Sequence, residues 1–193
     1  MTMKRIKEVI EASVEVKNKI LADNSILEEI EDIANACADT FCAGGKVLFC
    51  GNGGSAADAQ HLAAELSGRY LLDREPLPAE ALHVNTSFLT AVANDYSYDE
   101  VFARMVRGMG NEGDVLFALS TSGNSGNIVR AIEEAKEKQM IIVGLTGDSG
   151  GKMKDLCDFI VRVPSGDTPR IQESHIMIGH IICEIIEKKL FVK

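Results

Sequence analysis

Residues 47–66, VLFCGNGGSAADAQHLAAEL, decide the fold. A short apolar run comes first, a glycine-rich turn follows, and a helical pattern begins directly after the turn. Strands that are apolar on both faces are typical of parallel sheets covered by helices on both sides. This order therefore indicates the first strand, turn and helix of an α/β sheet.

The same alternation continues to the end of the chain. Apolar runs indicate strands at 46–50, 81–84, 115–120, 140–146 and 159–163. Helical patterns occupy 55–67, about 87–109, 126–138, about 151–157 and 169–190. We predict an α/β fold, a three-layer αβα sandwich with a five-stranded, mostly parallel sheet. The proline-containing stretch 70–81, YLLDREPLPAEA, is predicted to cross the surface.

Two amphipathic helices precede the first strand. One covers residues 4–22, and the second begins at Ser25, which forms a capping box with Glu28. The apolar stripes of this helical pair need partners. They either cover the sheet or pack against copies of themselves in an oligomer.

The composition bounds the class of protein. The chain has 193 residues, of which 46% are hydrophobic and 25% charged, with a net charge of −9. We predict a single domain over residues 1–193, with the helical pair in 1–43 and the α/β core in 46–193. The acidic balance argues against a nucleic acid partner. Neither a membrane-spanning apolar run nor a signal peptide is present, so we expect a cytoplasmic protein without a membrane partner.

The cysteines indicate neither a disulfide framework nor a zinc–thiolate site. Their number is odd, none forms a CxxC motif, and each lies in or beside an apolar run. Buried free thiols in a reducing compartment are the expected state. The five are Cys37, Cys42, Cys50, Cys157 and Cys183.

Two turns have the chemistry of a phosphate site. GNGGS (51–55) and STSGNS (120–125) each follow a predicted strand and precede a helix, whose free N–H groups favour an anion. The second turn adds hydroxyl groups suited to a phosphate monoester. A Walker motif is absent, and GNGGSA matches the dinucleotide fingerprint without a strand-end acidic residue about 20 positions later, so no nucleotide is expected.

The helix after the first turn carries His61 and Glu65, with Asp58 one turn earlier. Residues four apart share a helix face and lie about 6 Å apart along the axis. The pair can bind a metal ion, form an ordinary surface ion pair, or present an acid and a base to a ligand. The ion pair is the commonest use of this spacing.

The last helix opens at Thr168, the expected N-cap, with Pro169 at its first position. His175 and His180 are five apart and therefore do not share a face. His180 lies among isoleucines, which fits either a core histidine or a general acid with a shifted pKa. Gln172 lies about 12 Å from His180 along the helix axis.

Several segments together resemble the phosphoheptose isomerases, a family of the SIS (sugar isomerase) fold. The resemblance covers about residues 4–190. It implies aldose–ketose isomerisation of sedoheptulose 7-phosphate to D-glycero-D-manno-heptose 7-phosphate, in heptose biosynthesis for lipopolysaccharide or related glycans. The segments are GNGGSAADAQHLAAELSGRY, ANDYSYDEVFARM, STSGNSGNIVRAIEEAK, GLTGDSGGKM and DTPRIQESHIMIGHIICEIIE.

The resemblance also implies the roles of individual residues. Glu65 is the implied base and His180 the implied acid, and the family is homotetrameric with active sites at subunit contacts. The implied zinc ligands are His61, Glu65, Gln172 and His180. The implied substrate contacts are Asn52, Gly53, Gly54, Ser55, Glu65, Asn94, Asp95, Ser120, Thr121, Ser122, Ser125 and Gln172.

Three alternatives stay open at this level. A carboxylate on zinc is a weaker base, so either Glu65 leaves the metal during turnover or the metal mainly orders the site. The 12 Å offset makes Gln172 and His180 awkward ligands for one ion within one helix, unless a second subunit contributes one of them. Finally, a non-catalytic tetramer of the same fold, which binds a protein partner or senses a sugar phosphate, shares the turns but has no need for the acid and the base.

Overall fold

The computed structural model describes residues 2–192. Its centre is a five-stranded sheet in which every strand pairing is parallel, in the order β2-β1-β3-β4-β5. The predicted fold class is confirmed. The strands are β1 (Val47–Gly51), β2 (Ala79–Ala81), β3 (Val115–Leu119), β4 (Ile141–Gly147) and β5 (Phe159–Val163).

The strand order creates a switch point between β1 and β3. From β1 the chain passes to β2 on one side, and it then crosses to β3 on the other. Ligands of doubly wound sheets bind at such a point, beyond the carboxyl ends of the strands. Gly51 and Leu119 are paired at the ends of β1 and β3, so the two predicted phosphate turns leave the sheet side by side.

Seven α-helices surround the sheet in the described part of the chain. They are α1 (Thr2–Ala22), α2 (Asn24–Cys42), α3 (Gly54–Ser67), α4 (Thr86–Asp95), α5 (Val101–Met109), α6 (Gly126–Glu137) and α7 (Thr168–Phe191).

Four details of the predicted elements are wrong. The helix expected over 87–109 is divided, because Tyr96 and Ser97 have non-helical backbone angles. The segment 151–157 contains only a short 3-10 helix, Gly151–Asp155, which follows a left-handed Gly150. The strand expected at 81–84 ends at Ala81.

The helix caps are the fourth correction. Asp23, not Ser25, is the N-cap of α2, because its backbone is extended and its carboxylate accepts a hydrogen bond from the Ser25 N–H. The N-cap of α7 is Asp167, so Thr168 already belongs to the helix.

Successive residues of each strand are buried on opposite faces of the sheet. Phe49 and Phe117 stack on the face covered by α1, α2, α3 and α7. Leu48 and Leu116 face α4, α5 and α6. This alternation is why the strands are apolar throughout, and it produces the three layers.

Both helices of the pair pack against other elements of the same chain. α2 covers the edge of the sheet, where the Ile160 N–H of β5 donates a hydrogen bond to Glu29. α1 lies against α7 through polar contacts: Ser13 donates to Glu173 at 2.7 Å and Arg170 to the Val9 carbonyl at 3.1 Å.

The prediction of buried thiols is correct at three of the five cysteines. Cys37, Cys50 and Cys183 are buried, and burial raises the pKa of each thiol. Cys157 is half-buried, with its pKa raised to about 12 for the same reason. Cys42, the last residue of α2, is exposed.

Among the helices of residues 2–192, none has the length and apolar character needed to cross a bilayer.

His175 is the core histidine of α7. Its ring is fully buried, its Nε2–H donates to the Thr146 carbonyl at 3.1 Å, and burial lowers its pKa to about 4. An unfolded chain takes up this proton near pH 6.5, whereas the folded protein does so only near pH 4. Between these values the unfolded state binds more protons, so the stability contributed by the neutral ring is lost as the pH falls.

We therefore expect the free energy of unfolding to fall by about 2 kcal/mol between pH 7.5 and pH 5.0 because of this residue. Urea unfolding of the wild type and of His175→Gln at both pH values measures the effect. The variant, which cannot take up the proton, should show less pH dependence. Equal pH dependence in the two proteins would contradict the assignment.

Candidate active site

The turn between β1 and α3 requires glycine at two positions. A side chain at Gly51 would meet the Ser55 carbonyl at 2.4 Å, and Gly53 has a positive φ of 56°. Only glycine fits both positions without strain. Ser55 is buried in the first turn of α3. The backbone of Asn52–Ser55 thus forms a compact helix N-terminus beyond the sheet.

The Asn52 side chain is held by two neighbours. Its amide exchanges two hydrogen bonds with the Asn127 amide, at 2.8 and 2.9 Å, and accepts a third from the Tyr98 hydroxyl at 3.1 Å. Asn127 is buried in α6. These bonds connect the β1–α3 turn to α6 and to the segment after α4. Asn94 and Asp95 end α4, are exposed, and are hydrogen-bonded to each other.

The hydroxyl groups of the turn between β3 and α6 fall into two sets. Ser120 and Ser125 lie 3.0 Å apart between their oxygens, at the end of β3 and at the N-cap of α6. Thr121 and Ser122 line a polar cleft of about 350 Å³, with Gly147, Asp148 and Thr168 on its other sides. Ser120 and Ser125 thus lie at the N-terminus of α6, where an anion is favoured, whereas the cleft of Thr121 and Ser122 extends to Thr168 in the first turn of α7.

His61, Glu65 and His180 converge, although 115 residues separate Glu65 from His180 in the chain. The Nε2 atoms of His61 and His180 are 2.9 Å apart, and His61 Nε2 is 3.1 Å from Glu65 Oε1. The three ligand atoms all lie within 4.8 Å of one another. Two imidazole nitrogens at this distance share either a proton or a cation. The cluster is partly open to solvent, since the His61 side chain is 48% exposed.

A close approach of α3 and α7 makes this cluster possible. A side chain at Gly179 would lie 2.5 Å from both methyl groups of Leu62, so the helices touch there with no room for a Cβ atom. Leu62 follows His61 and Gly179 precedes His180. The contact therefore brings the two imidazoles to the same edge of the helix pair.

Gln172 lies at the other end of α3. Its amide is within 3.0 Å of the position that a Cβ atom of Gly54 would occupy. Gly54 and His61 are seven residues apart on α3, which corresponds to about 10 Å along the axis. Within one chain, Gln172 is thus beside the glycine-rich turn, and the other three predicted ligands form their own cluster.

Asp58 lies one turn before His61. Burial raises the pKa of its carboxyl group, although a charge on His61 would oppose the shift. Its Oδ2 atom is buried without a hydrogen-bond partner among residues 2–192.

Sequence patterns gave no signal for Tyr70, Arg74 and Glu187. The Tyr70 ring stacks on the His180 ring, with 5.6 Å between centroids and 23° between planes. Arg74 and Glu187 form a buried ion pair beside them, at 3.0 Å. Helical spacing could not reveal these contacts, because they join residues more than 100 positions apart.

The fold and the site define a doubly wound α/β protein with a histidine–carboxylate cluster between two of its helices, and comparison with known proteins gives the family. The model of the SIS domain family matches residues 10–147. The phosphoheptose isomerase of Aneurinibacillus thermoaerophilus is 53% identical over 96% of this chain and 94% of its own length. That of Clostridium acetobutylicum is 54% identical over 96% and 95%. The structure of phosphoheptose isomerase GmhA from Neisseria gonorrhoeae superimposes with a TM-score of 0.92 at 40% identity, over 97% of this chain and 100% of that one.

The chain therefore belongs to the SIS domain proteins and, among them, to the phosphoheptose isomerase family of enzymes.

The contact at Gly179 yields a prediction. Gly179→Ala should lower the free energy of unfolding by about 1–3 kcal/mol, because the added methyl group overpacks Leu62. It should also weaken binding of Co²⁺, used as a probe of the cluster of His61, Glu65 and His180, by separating the imidazoles. Gly108→Ala is the matched control, since nothing lies within 4 Å of the added atom in α5. The control should leave the stability unchanged or raise it by about 0.5–1 kcal/mol. Equal stabilities of the two variants would refute the close-approach argument.

Proposed function

We propose that this protein isomerises sedoheptulose 7-phosphate to D-glycero-D-manno-heptose 7-phosphate, a step toward heptose for lipopolysaccharide or related glycans. The main support is the convergence of a carboxylate, Glu65, and two imidazoles on α3 and α7, where α3 follows one of the two glycine- and serine-containing turns at the switch point. The names of the relatives supply the heptose phosphate as the substrate.

Glu65 is proposed as the base. Moving a carbonyl group from C2 to C1 requires removal of a proton from C1, formation of an enediol or enediolate, and return of a proton to C2. One carboxylate can perform both transfers if it lies beside the two carbons. The Glu65 side chain, 22% exposed, lies at the edge of the site and can reach a bound ligand.

His180 is proposed as the acid. As the proton leaves C1, negative charge develops on the C2 oxygen, and a proton or a positive dipole placed there lowers the barrier. The imidazole of His180 lies on the opposite helix from Glu65 and presents its Nε2 atom to the same space. The base and the acid can therefore approach the substrate from different sides.

The donor set fits a zinc ion, which we propose as the metal. Two imidazole nitrogens and a carboxylate oxygen are zinc ligands of the usual types, and two ligands of a tetrahedral zinc ion lie about 3.3 Å apart. The distances of 2.9 and 3.1 Å from His61 Nε2 are close to this value. When bound, zinc would polarise the carbonyl oxygen of the sugar. Gln172 is proposed as the fourth ligand, contributed by a second subunit.

The two turns are proposed to bind opposite ends of the substrate. Hydroxyl groups and the N-terminus of α6 would hold the phosphate, and the glycine-rich turn would lie along the sugar. The phosphate contacts are Ser120, Thr121, Ser122 and Ser125, and the sugar contacts are Asn52, Gly53, Gly54, Ser55, Asn94, Asp95 and Gln172.

We also propose a cytoplasmic homotetramer built from single-domain chains. Helix α1 supports the assembly. Ile6, Ile10 and Val14 follow one another at intervals of about one helical turn, and the side chain of each is about half exposed. Such an apolar stripe on a helix suits burial against another copy.

A direct assay tests the reaction. The wild type should convert sedoheptulose 7-phosphate to the aldose, and Glu65→Gln and His180→Ala should each lower kcat roughly 10²- to 10⁴-fold, as for loss of a general base or acid. Glu112→Gln is the control, because Glu112 is exposed at the amino end of β3, away from the site. No turnover by folded wild type would overturn the function, and full activity in Glu65→Gln would remove the proposed base.

Metal removal tests the zinc proposal separately. The purified protein should contain about one zinc ion per chain, and His61→Ala should lose most of it, since three residues hold the ion within the chain. His83→Gln, a substitution at a histidine outside the cluster, should retain the metal. Metal analysis after dialysis measures both. Full activity of chelator-treated, zinc-free wild type would show that the metal is not required.

A further inference from the structure

The segment between α3 and β2, residues 68–75, is fastened to α7 by one carboxylate. Glu187 accepts hydrogen bonds from three successive backbone N–H groups, those of Tyr70, Leu71 and Leu72, at 2.9, 2.8 and 3.0 Å. It also accepts one from Arg74 Nε at 3.0 Å. The expected surface crossing is therefore anchored by a buried group.

Arg74 directs its Nη donors to the end of α3 and to the Glu75 carbonyl. Its Nη2 donates to the Glu65 carbonyl at 2.9 Å, and its Nη1 donates to the Leu66 carbonyl at 2.7 Å and to the Gly68 carbonyl at 3.2 Å. These are carbonyl groups that a helix C-terminus leaves without intrahelical partners. One guanidinium thus joins the last turn of α3, which carries Glu65, to the carboxylate on α7.

A buried ion pair of this kind is weak evidence for added stability. The side chains of Arg74 and Glu187 are 2% and 1% exposed, and removing two charges from water costs much of what their attraction returns. Both side chains make several hydrogen bonds to defined backbone atoms, which favours a single arrangement of the segment. The residue that this arrangement places against the active site is Tyr70.

Tyr70 and His61 contact the His180 ring in different ways. The Tyr70 ring stacks on it, at 5.6 Å and 23°, whereas the His61 ring meets it edge-on, at 5.0 Å and 67°. Rotation of the His180 ring would lose the stacking contact. The orientation seen is also the one that directs Nε2 toward His61 Nε2.

We infer that Tyr70 is a positioning residue for His180, and that the Glu187–Arg74 pair holds Tyr70 in place. Tyr70 acts through its ring, by stacking, and fixes the direction of the imidazole that the proposed function uses as an acid and metal ligand. The catalytic part of this inference rests on that proposed function, whereas the orientation of the ring does not.

The test compares Tyr70→Leu, which removes the aromatic ring, with Tyr70→Phe, which retains it. Tyr70→Leu should shift the His180 ring signals in ¹H–¹³C NMR spectra, because a ring current is lost, and should weaken Co²⁺ binding roughly 10- to 100-fold. It should lower kcat by a similar factor with little change in KM, since the sugar and phosphate contacts remain. Tyr70→Phe should match the wild type in all three properties.

Asp73→Asn is the control within the same segment, since the Asp73 side chain is exposed. It should match the wild type in all three measurements. Glu187→Gln, which disrupts the anchor, should reproduce the NMR shift of Tyr70→Leu wherever it remains folded.

Wild-type Co²⁺ affinity and unchanged His180 signals in folded Tyr70→Leu would overturn the inference. Equal defects in Tyr70→Phe and Tyr70→Leu would also overturn it, because they would assign the effect to the hydroxyl group. If the wild type does not turn over sedoheptulose 7-phosphate, the proposed function fails, while the NMR and Co²⁺ titrations still decide the role of Tyr70.

Discussion

The contact between Leu62 on α3 and Gly179 on α7 is the constraint on which the site depends. It allows the two helices to touch, and the residues beside it, His61 and His180, bring their Nε2 atoms to 2.9 Å. The same helices bury apolar side chains against one face of the sheet. Core packing and site geometry are therefore properties of one helix pair, so a change that separates the helices affects both.

A second, polar connection joins the same two helices. Glu187 on α7 and Arg74 in the segment after α3 are buried together, and the guanidinium reaches the carbonyl of Glu65 itself. Apolar packing is non-directional, whereas hydrogen bonds to defined backbone atoms have a preferred distance and direction. The Arg74–Glu187 pair thus fixes the position of Glu65 relative to His180. It also fixes the position of the Tyr70 ring, which stacks on His180.

The two turns that are proposed to hold the phosphate and the sugar follow a different principle. The GNGGS and STSGNS turns contain neither lysine nor arginine. They offer backbone N–H groups, hydroxyl groups and the dipoles of two helices, fixed at the switch point by the pairing of β1 with β3. A protein with a net charge of −9 can bind a phosphate in this way, since the favourable groups are local and already oriented.

The sequence alone determined the features that depend on local periodicity. Apolar runs and helical stripes predicted the parallel sheet, and the spacing of four placed His61 and Glu65 on one face. Only the tertiary structure decided that His175 is the core histidine and His180 faces the site, because both lie on an isoleucine-rich helix. It likewise placed Gln172 beside Gly54, and it alone joined Tyr70 and Arg74 to α7. The physical reason is that these contacts depend on how α3 and α7 pack, and a local pattern carries no information about that packing.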